Sequence, residues 1–252
     1  RRLRRLRGGT LISPPPDLIY PVRPGDNNEE LRFALRSVAA NLPHRQVWIA
    51  GHCPSWVSDK VNRIELEPHP DKFANQWQSL HALANHPDVA GEVILMNDDF
   101  FVLRPVEHPI PVYHLGPVGE HLEHLSRVLS PDNPWLVKLQ ETDAKWLYAR
   151  HMCYEAHVPL PFTKRFIRWI TLVSPPLLMG SLYAVERVLS GHPLGEQGID
   201  VKVHGSKHEH LDRVLDAGLP YLSSADRIWE EPGSAIVAHL HRLFPDKCIY
   251  EA

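Results

Sequence analysis

93-VILMNDDFFVLRPV-106 sets four apolar residues directly against Asn97, Asp98 and Asp99, and two phenylalanines follow at once. Together with Glu92, the run through Met96 reads as a buried strand, too short for a helix and free of alternation. Two adjacent carboxylates at the end of such a strand repel each other unless a cation or hydrogen bonds offset their charge.

Upstream, the pattern alternates between strand and helix. A short strand, 18-LIY-20, leads through the turn 23-RPGDNN-28 into the clearest helix of the chain, 28-NEELRFALRSVAANL-42. Leu31, Leu35, Val38 and Leu42 recur on one helical face, Asn27 is the expected cap with Glu30 as its capping-box partner, and Pro43 ends the helix. Strands are expected at 46-QVWIAG-51 and 61-VNRIELE-67, and a helix at 73-FANQWQSLHALANH-86 with Phe73, Trp77, Leu80 and Ala84 inward. That order predicts an α/β sheet with helices on its faces, and in such sheets ligands gather beyond the carboxyl ends of the strands. Asn97, Asp98 and Asp99 stand at such an end.

Downstream the chain reads as more helical and less regular. The Pro- and Gly-rich piece 107-EHPIPVYHLGPVGE-120 is a candidate active-site loop. Helices are expected at 120–129, 162–172, 179–190 and 234–244. Residues 1–16 form a basic, Pro-rich tail containing 1-RRLRRLR-7, and 17–252 reads as a single α/β catalytic domain. Within it, 17–106 carries the alternating strands and helices and the acidic turn, and 107–252 is the more helical half.

Composition bounds the function. The 252 residues are 43% hydrophobic and 23% charged with a net charge of -3, which points to neither nucleic acid nor a membrane surface. No run of about 20 apolar residues predicts a transmembrane helix, although peripheral membrane contact stays open. Cys53, Cys153 and Cys248 are odd in number and widely spaced, which argues for free thiols in a reducing compartment and a cytoplasmic location. The 17 histidines show no metal-type spacing.

Magnesium or manganese offsets paired carboxylates well, because these ions take hard oxygen ligands from one or two acids and complete their shell with phosphates and water. So held, the ion neutralises a diphosphate and stabilises a leaving phosphate. Asp98 and Asp99 are therefore the candidate metal ligands, with Asn97 orienting their turn.

30-ELRFALRS-37, 47-VWIAG-51, 54-PSWV-57, 73-FANQWQS-79 and 97-NDDFFVLRPV-106 stand in the order and at the spacing of the second conserved region of the Stealth family, which the chain resembles. That family includes capsular polysaccharide phosphotransferases. Weaker likenesses are 154-YEAHVPLPFTKRF-166 to the third region, with His157 and Pro159 as its His-x-Pro, and 223-SSADRIWEE-231 with 244-FPDKCIYE-251 to the fourth. The first region survives only as 18-LIYPVRPGDNN-28; an arginine of the third is replaced by 180-GSLYA-184, and Ala225-Asp226 stands for Asn-Asp.

The resemblance implies a GT-A-like, Rossmann-like nucleotide-sugar transferase core with a mixed, mostly parallel sheet flanked by helices. It implies metal-dependent transfer of hexose-1-phosphate from a UDP-sugar, UDP-N-acetylhexosamine being the family's usual donor, to an acceptor hydroxyl. Arg32 and Arg36, four apart on one helical face, are then expected on the diphosphate or the acidic pair, since arginine binds phosphate bidentately. Arg104 is a further phosphate candidate, Asn75 and Ser79 belong to the substrate pocket, and Asp26 holds ribose or base. His157 is the expected general base, and Asp226 a further metal or substrate contact. Trp77, Trp169 and Trp229 are expected in the core. Two alternatives remain: a GT-A-type glycosyltransferase that releases UDP, and a nucleotide-sugar-binding protein without catalysis.

Overall fold

A computed structural model describes residues 14–25, 27–144, 152–191 and 195–252. Its main sheet has the order β3-β2-β1-β4-β7, built from β1 (Asp17–Val22), β2 (Val47–Gly51), β3 (Val61–Ile64), β4 (Glu92–Leu95) and β7 (Leu160–Thr163). β1 pairs in parallel with both β2 and β4, Leu18 facing Val47 on one side and Ile94 on the other. β3 extends the parallel set, and β7 closes the edge antiparallel to β4. The fold is mixed α/β, as the alternation predicted, with the mostly parallel, Rossmann-like central sheet that the resemblance implied.

Parallel strands covered on both faces bury every side chain, and Leu18, Tyr20, Val47, Ile49 and Leu95 are all 0% exposed. Each such aliphatic side chain contributes about 1.5–3 kcal/mol. Helix α2 (Lys72–Asn85) packs on β1 and β2, with α5 (Lys164–Val173) beside it. Asp71 starts α2 by accepting from the amides of Phe73 (2.8 Å) and Ala74 (2.9 Å). Helix α1 (Glu29–Asn41) lies instead against β5 (Phe100–Val102), where Asn41 Nδ2 donates to the Val102 carbonyl at 2.7 Å. Its cap is Asn28 rather than Asn27; Asn28 is left-handed at φ 46° and makes no side-chain capping bond.

β5 begins directly after the acidic turn and belongs to a second sheet of order β5-β10-β9, with β9 (Lys202–Val203) and β10 (Tyr221–Ser224). The opening stretch thus crosses from one sheet to the other at Asn97–Asp99. This explains the two phenylalanines, which are core residues of β5 at 3% and 0% exposure. A small pair, β6 (Tyr113–His114) with β8 (Glu196–Gln197), lies in the second half.

Six of the eight described helices follow residue 107: α3 (Val118–Val128), α4 (Pro134–Thr142), α5, α6 (Met179–Ser190), α7 (His208–Asp216) and α8 (Ala235–Leu243). α4 and α7 escaped the periodicity reading, although Asn133 caps α4 and Pro134 opens it. Trp77 is buried and Trp229 stacks on Phe33 at 5.6 Å, but Trp169 is 42% exposed and does not join the core. No described helix is long and apolar enough to cross a membrane. The cysteines are free thiols.

Candidate functional site

β1 has β2 on one side and β4 on the other, so the strand order reverses at its carboxyl end. A cleft of about 290 Å³ opens there. Its walls carry Arg23 from the loop after β1, Lys72 and Asn75 from the start of α2, the Asn97–Asp99 turn, His157, Lys202 and Asp226. A second cavity of about 550 Å³ adjoins it, sharing Arg23, Asp98 and Asp226 and extending over Asn28, Glu29, Glu30 and Trp229.

The two aspartates are unequal. Asp99 is buried, and its Oδ2 accepts from Lys202 Nζ and Ser223 Oγ, both at 2.9 Å. Asp98 has no hydrogen-bond or ion-pair partner among the described residues. Burial, then the charges of Asp99 and Glu30, push its carboxyl up to about 8. A carboxylate so poor in compensation is a place for a cation. Among the described residues, no group of three or more His, Cys, Asp or Glu is disposed to hold a metal alone. The donor set nevertheless fits magnesium or manganese, which bind through one or two carboxylates and take the remaining oxygens from phosphate and water.

Opposite charge lines the same cleft. Burial and the charges of Arg23 and Lys202 hold the Lys72 ammonium below its ordinary pKa. Burial would lower Lys202 as well, but Asp99 outweighs it and keeps that ammonium charged. Arg23 makes a loose ion pair with Asp226 at 3.6 Å, both side chains largely exposed. Three cations on one cleft beside an acidic turn suit a phosphate chain bridged to a metal.

His157 occupies a left-handed position at φ 55°, uncommon for a residue with a Cβ. Fully buried Ala156 and Val158 flank it, and the Val201 amide bonds the Ala156 carbonyl at 3.2 Å. Its Nδ1 lies 2.8 Å from Asp200 Oδ1. Glu155, two residues earlier, is buried in the cleft wall, where it accepts from the Ser181 amide at 2.8 Å in the first turn of α6.

The structure therefore gathers Asp98, Asp99, Asn97, His157, Asn75 and Asp226 around one cleft. Asn75 turns its Oδ1 to the His69 amide at 3.0 Å, and buried Ser79 donates to the Asn75 carbonyl at 3.0 Å. Asp26 lies outside the described residues.

Arg32 and Arg36 are not brought to either cavity. Arg36 clamps Glu251 with Nε (2.7 Å) and Nη2 (2.8 Å), and Arg32 Nη1 reaches the same carboxylate at 3.0 Å. Arg32 also lies over the Trp56 ring at 4.2 Å. These arginines tie α1 to the closing 244–251 segment; the Glu251 side chain, at 0% exposure, must be neutralised where it sits. Arg104 likewise turns away and bonds the Gly218 carbonyl. The 107–120 segment, expected as an active-site loop, lines neither cavity.

Sequence reasoning missed Arg23, Lys72, Asp200, Lys202 and Ser223. The residues of 198-GIDVK-202 formed no periodic pattern, so nothing local marked them.

Fold and site together define an α/β protein of Rossmann-like architecture with a charged cleft at its switch point. No family model matches the chain. The capsular polysaccharide phosphotransferase LcbA of Aeromonas hydrophila is 31% identical to it over 90 residues, 32% of this chain and 25% of that protein. The match thus covers about a quarter of the relative's length and supports a distant relationship to capsular polysaccharide phosphotransferases of the Stealth type.

Proposed function

We propose that the protein transfers a sugar phosphate from a nucleotide sugar, most specifically hexose-1-phosphate from a UDP-sugar, to an acceptor hydroxyl. The observation that carries this reading is the single cleft joining uncompensated Asp98 to Arg23, Lys72, Lys202 and His157. The distant relationship to a capsular polysaccharide phosphotransferase supports the same class of reaction.

Asp98, with Asp99, would hold Mg2+ or Mn2+, which supplies charge neutralisation on the diphosphate. Lys72, Arg23 and Lys202 bind the phosphate oxygens. His157 takes the proton from the acceptor hydroxyl as its oxygen bonds to the phosphorus nearest the sugar. The bond from that phosphorus to the bridging oxygen breaks, and UMP leaves with the electron pair. In-line displacement places nucleophile and leaving group on opposite sides of phosphorus. The second cavity, which lacks His157, accordingly takes the nucleoside. There the buried Oδ1 of Asn28 has no hydrogen-bond partner, while Nδ2 is committed to the Arg23 carbonyl at 3.3 Å. An orphaned acceptor of that kind suits an N–H group of a base.

The nucleotide product is the test. Incubation with UDP-N-acetylhexosamine, Mn2+ and a panel of hydroxyl acceptors is expected to release UMP. UDP as the product moves the attack to the anomeric carbon and makes the protein a glycosyltransferase. Binding of the donor with no release of either nucleotide makes it a binding protein.

A further inference from the structure

Asp200 and Lys202 are two apart, and fully buried Val201 lies between them. In extended chain, residues two apart face the same side, and both side chains serve the cleft. Lys202 Nζ holds Asp99 at 2.9 Å, and Asp200 Oδ1 meets His157 Nδ1 at 2.8 Å. This short piece is itself anchored. The Val201 amide donates to Ala156, the Ser223 amide donates to the Val201 carbonyl at 3.1 Å, and β9 pairs with β10.

Resting on the reading above, we propose that Asp200 is a positioning residue for the transfer: it keeps the proton of His157 on Nδ1, so that Nε2 offers a lone pair to the acceptor hydroxyl. The chemistry of the contact requires this direction. An ionised carboxylate only accepts, so the imidazole nitrogen facing it must donate. The Asp200 oxygen is held in turn by the Lys202 amide at 2.9 Å. Burial alone would raise the Asp200 carboxyl, but His157 and that amide outweigh burial and keep it below its ordinary value. The edge-on ring of Phe100, 6.5 Å from the imidazole between centroids, adds an apolar neighbour without competing for Nδ1.

Asp200→Asn tests the assignment, because it retains the size of the side chain and, once turned, replaces the oxygen that His157 Nδ1 and the Lys202 amide share by an NH2 group. Its amide can turn NH2 towards Nδ1 and favour the opposite tautomer, a change that lowers kcat by about 10⁴-fold in a serine-protease triad. The expected loss here is ~10²–10⁴-fold in kcat with KM within about twofold, since the general base contributes that much. Asp200→Glu should recover part of the rate. A second measurement needs no substrate. In ¹⁵N spectra of the free full-length protein, the His157 ring, identified by the signals lost in His157→Gln, should be protonated at Nδ1 and bare at Nε2. In Asp200→Asn, and in Asp200→Ala where no oxygen faces Nδ1, the pattern should change. A wild-type ring protonated at Nε2, or a ring unchanged by Asp200→Ala, overturns the proposal whatever reaction the protein performs. If the ring behaves as expected while no donor is turned over, the positioning assignment stands and the transferase reading falls.

Discussion

Asp98→Asn lowers donor turnover by ~10²–10³-fold, the effect expected from removing one element of charge stabilisation in an enclosed site, and at the same time makes the protein more stable. The second effect follows from the pKa. A carboxyl raised from 3.8 to about 8 in the folded state opposes folding above its unfolded value, and the penalty is complete above about 8. The variant's advantage is therefore largest at alkaline pH and shrinks as pH falls towards 4. Relief of about 1 kcal/mol moves the melting temperature up by roughly 2–4 °C in a chain of this size. Divalent ions should narrow or remove the difference: saturation at about 100 Kd adds about 2.7 kcal/mol to wild type and little to the variant. Thermal melts at pH 5 and pH 9, with and without Mn2+, check both signs. Equal Mn2+ stabilisation of the two proteins would locate the ion away from Asp98. Asp99 is the poorer probe, because its loss also strands the Lys202 ammonium in a largely buried position.

Glu251→Ala carries the largest expected cost in stability. The Glu251 carboxylate, 0% exposed, is held by Arg32 and Arg36 and by the Cys248 amide at 3.0 Å. Its removal leaves the largely buried Arg36 guanidinium without an anion and leaves Arg32 with Glu29 alone, at 3.2 Å. Breaking a buried pair from one side costs about 3–5 kcal/mol, and 3 kcal/mol alone lowers the melting temperature by roughly 6–12 °C. Burial opposes ionisation of Glu251, yet Arg36, the Cys248 amide and Arg32 overcome it and lower the carboxyl to about 2. The stabilisation is thus complete above the ordinary 4.5 and disappears as pH falls through about 2. Acid titration of stability should be flatter in Glu251→Ala than in wild type between those limits. A variant as stable as wild type at pH 7 would remove the cluster from the structural account.

The two predictions assign different work to residues that looked alike in the sequence. Asp98 and Asp99 are adjacent, yet one is neutralised by side chains from β9 and β10 and the other is not. Arg32 and Arg36 resembled phosphate ligands because their spacing and charge are right for that task. Their partner is Glu251, which stands 215 residues from Arg36. His157 could be singled out from its sequence neighbourhood, whereas Asp200, 43 residues further on, could not.

What the sequence by itself determined is local. Apolar runs specified the buried strands, the 3.6-residue repeat of Leu31, Leu35 and Val38 specified α1, and the alternation of the two specified an α/β sheet with the acidic turn at a strand end. These signals survive without tertiary knowledge because dihedral preference and side-chain periodicity act over a few residues. The tertiary structure alone decided which charges share the cleft. Strand order brought Lys202 and Ser223 to Asp99, closure of the chain drew the arginines of α1 to Glu251, and the return of 198–202 beside Ala156 gave His157 its carboxylate. Contacts of this kind depend on packing between segments far apart in sequence, where no local repeat reveals the pairing in advance.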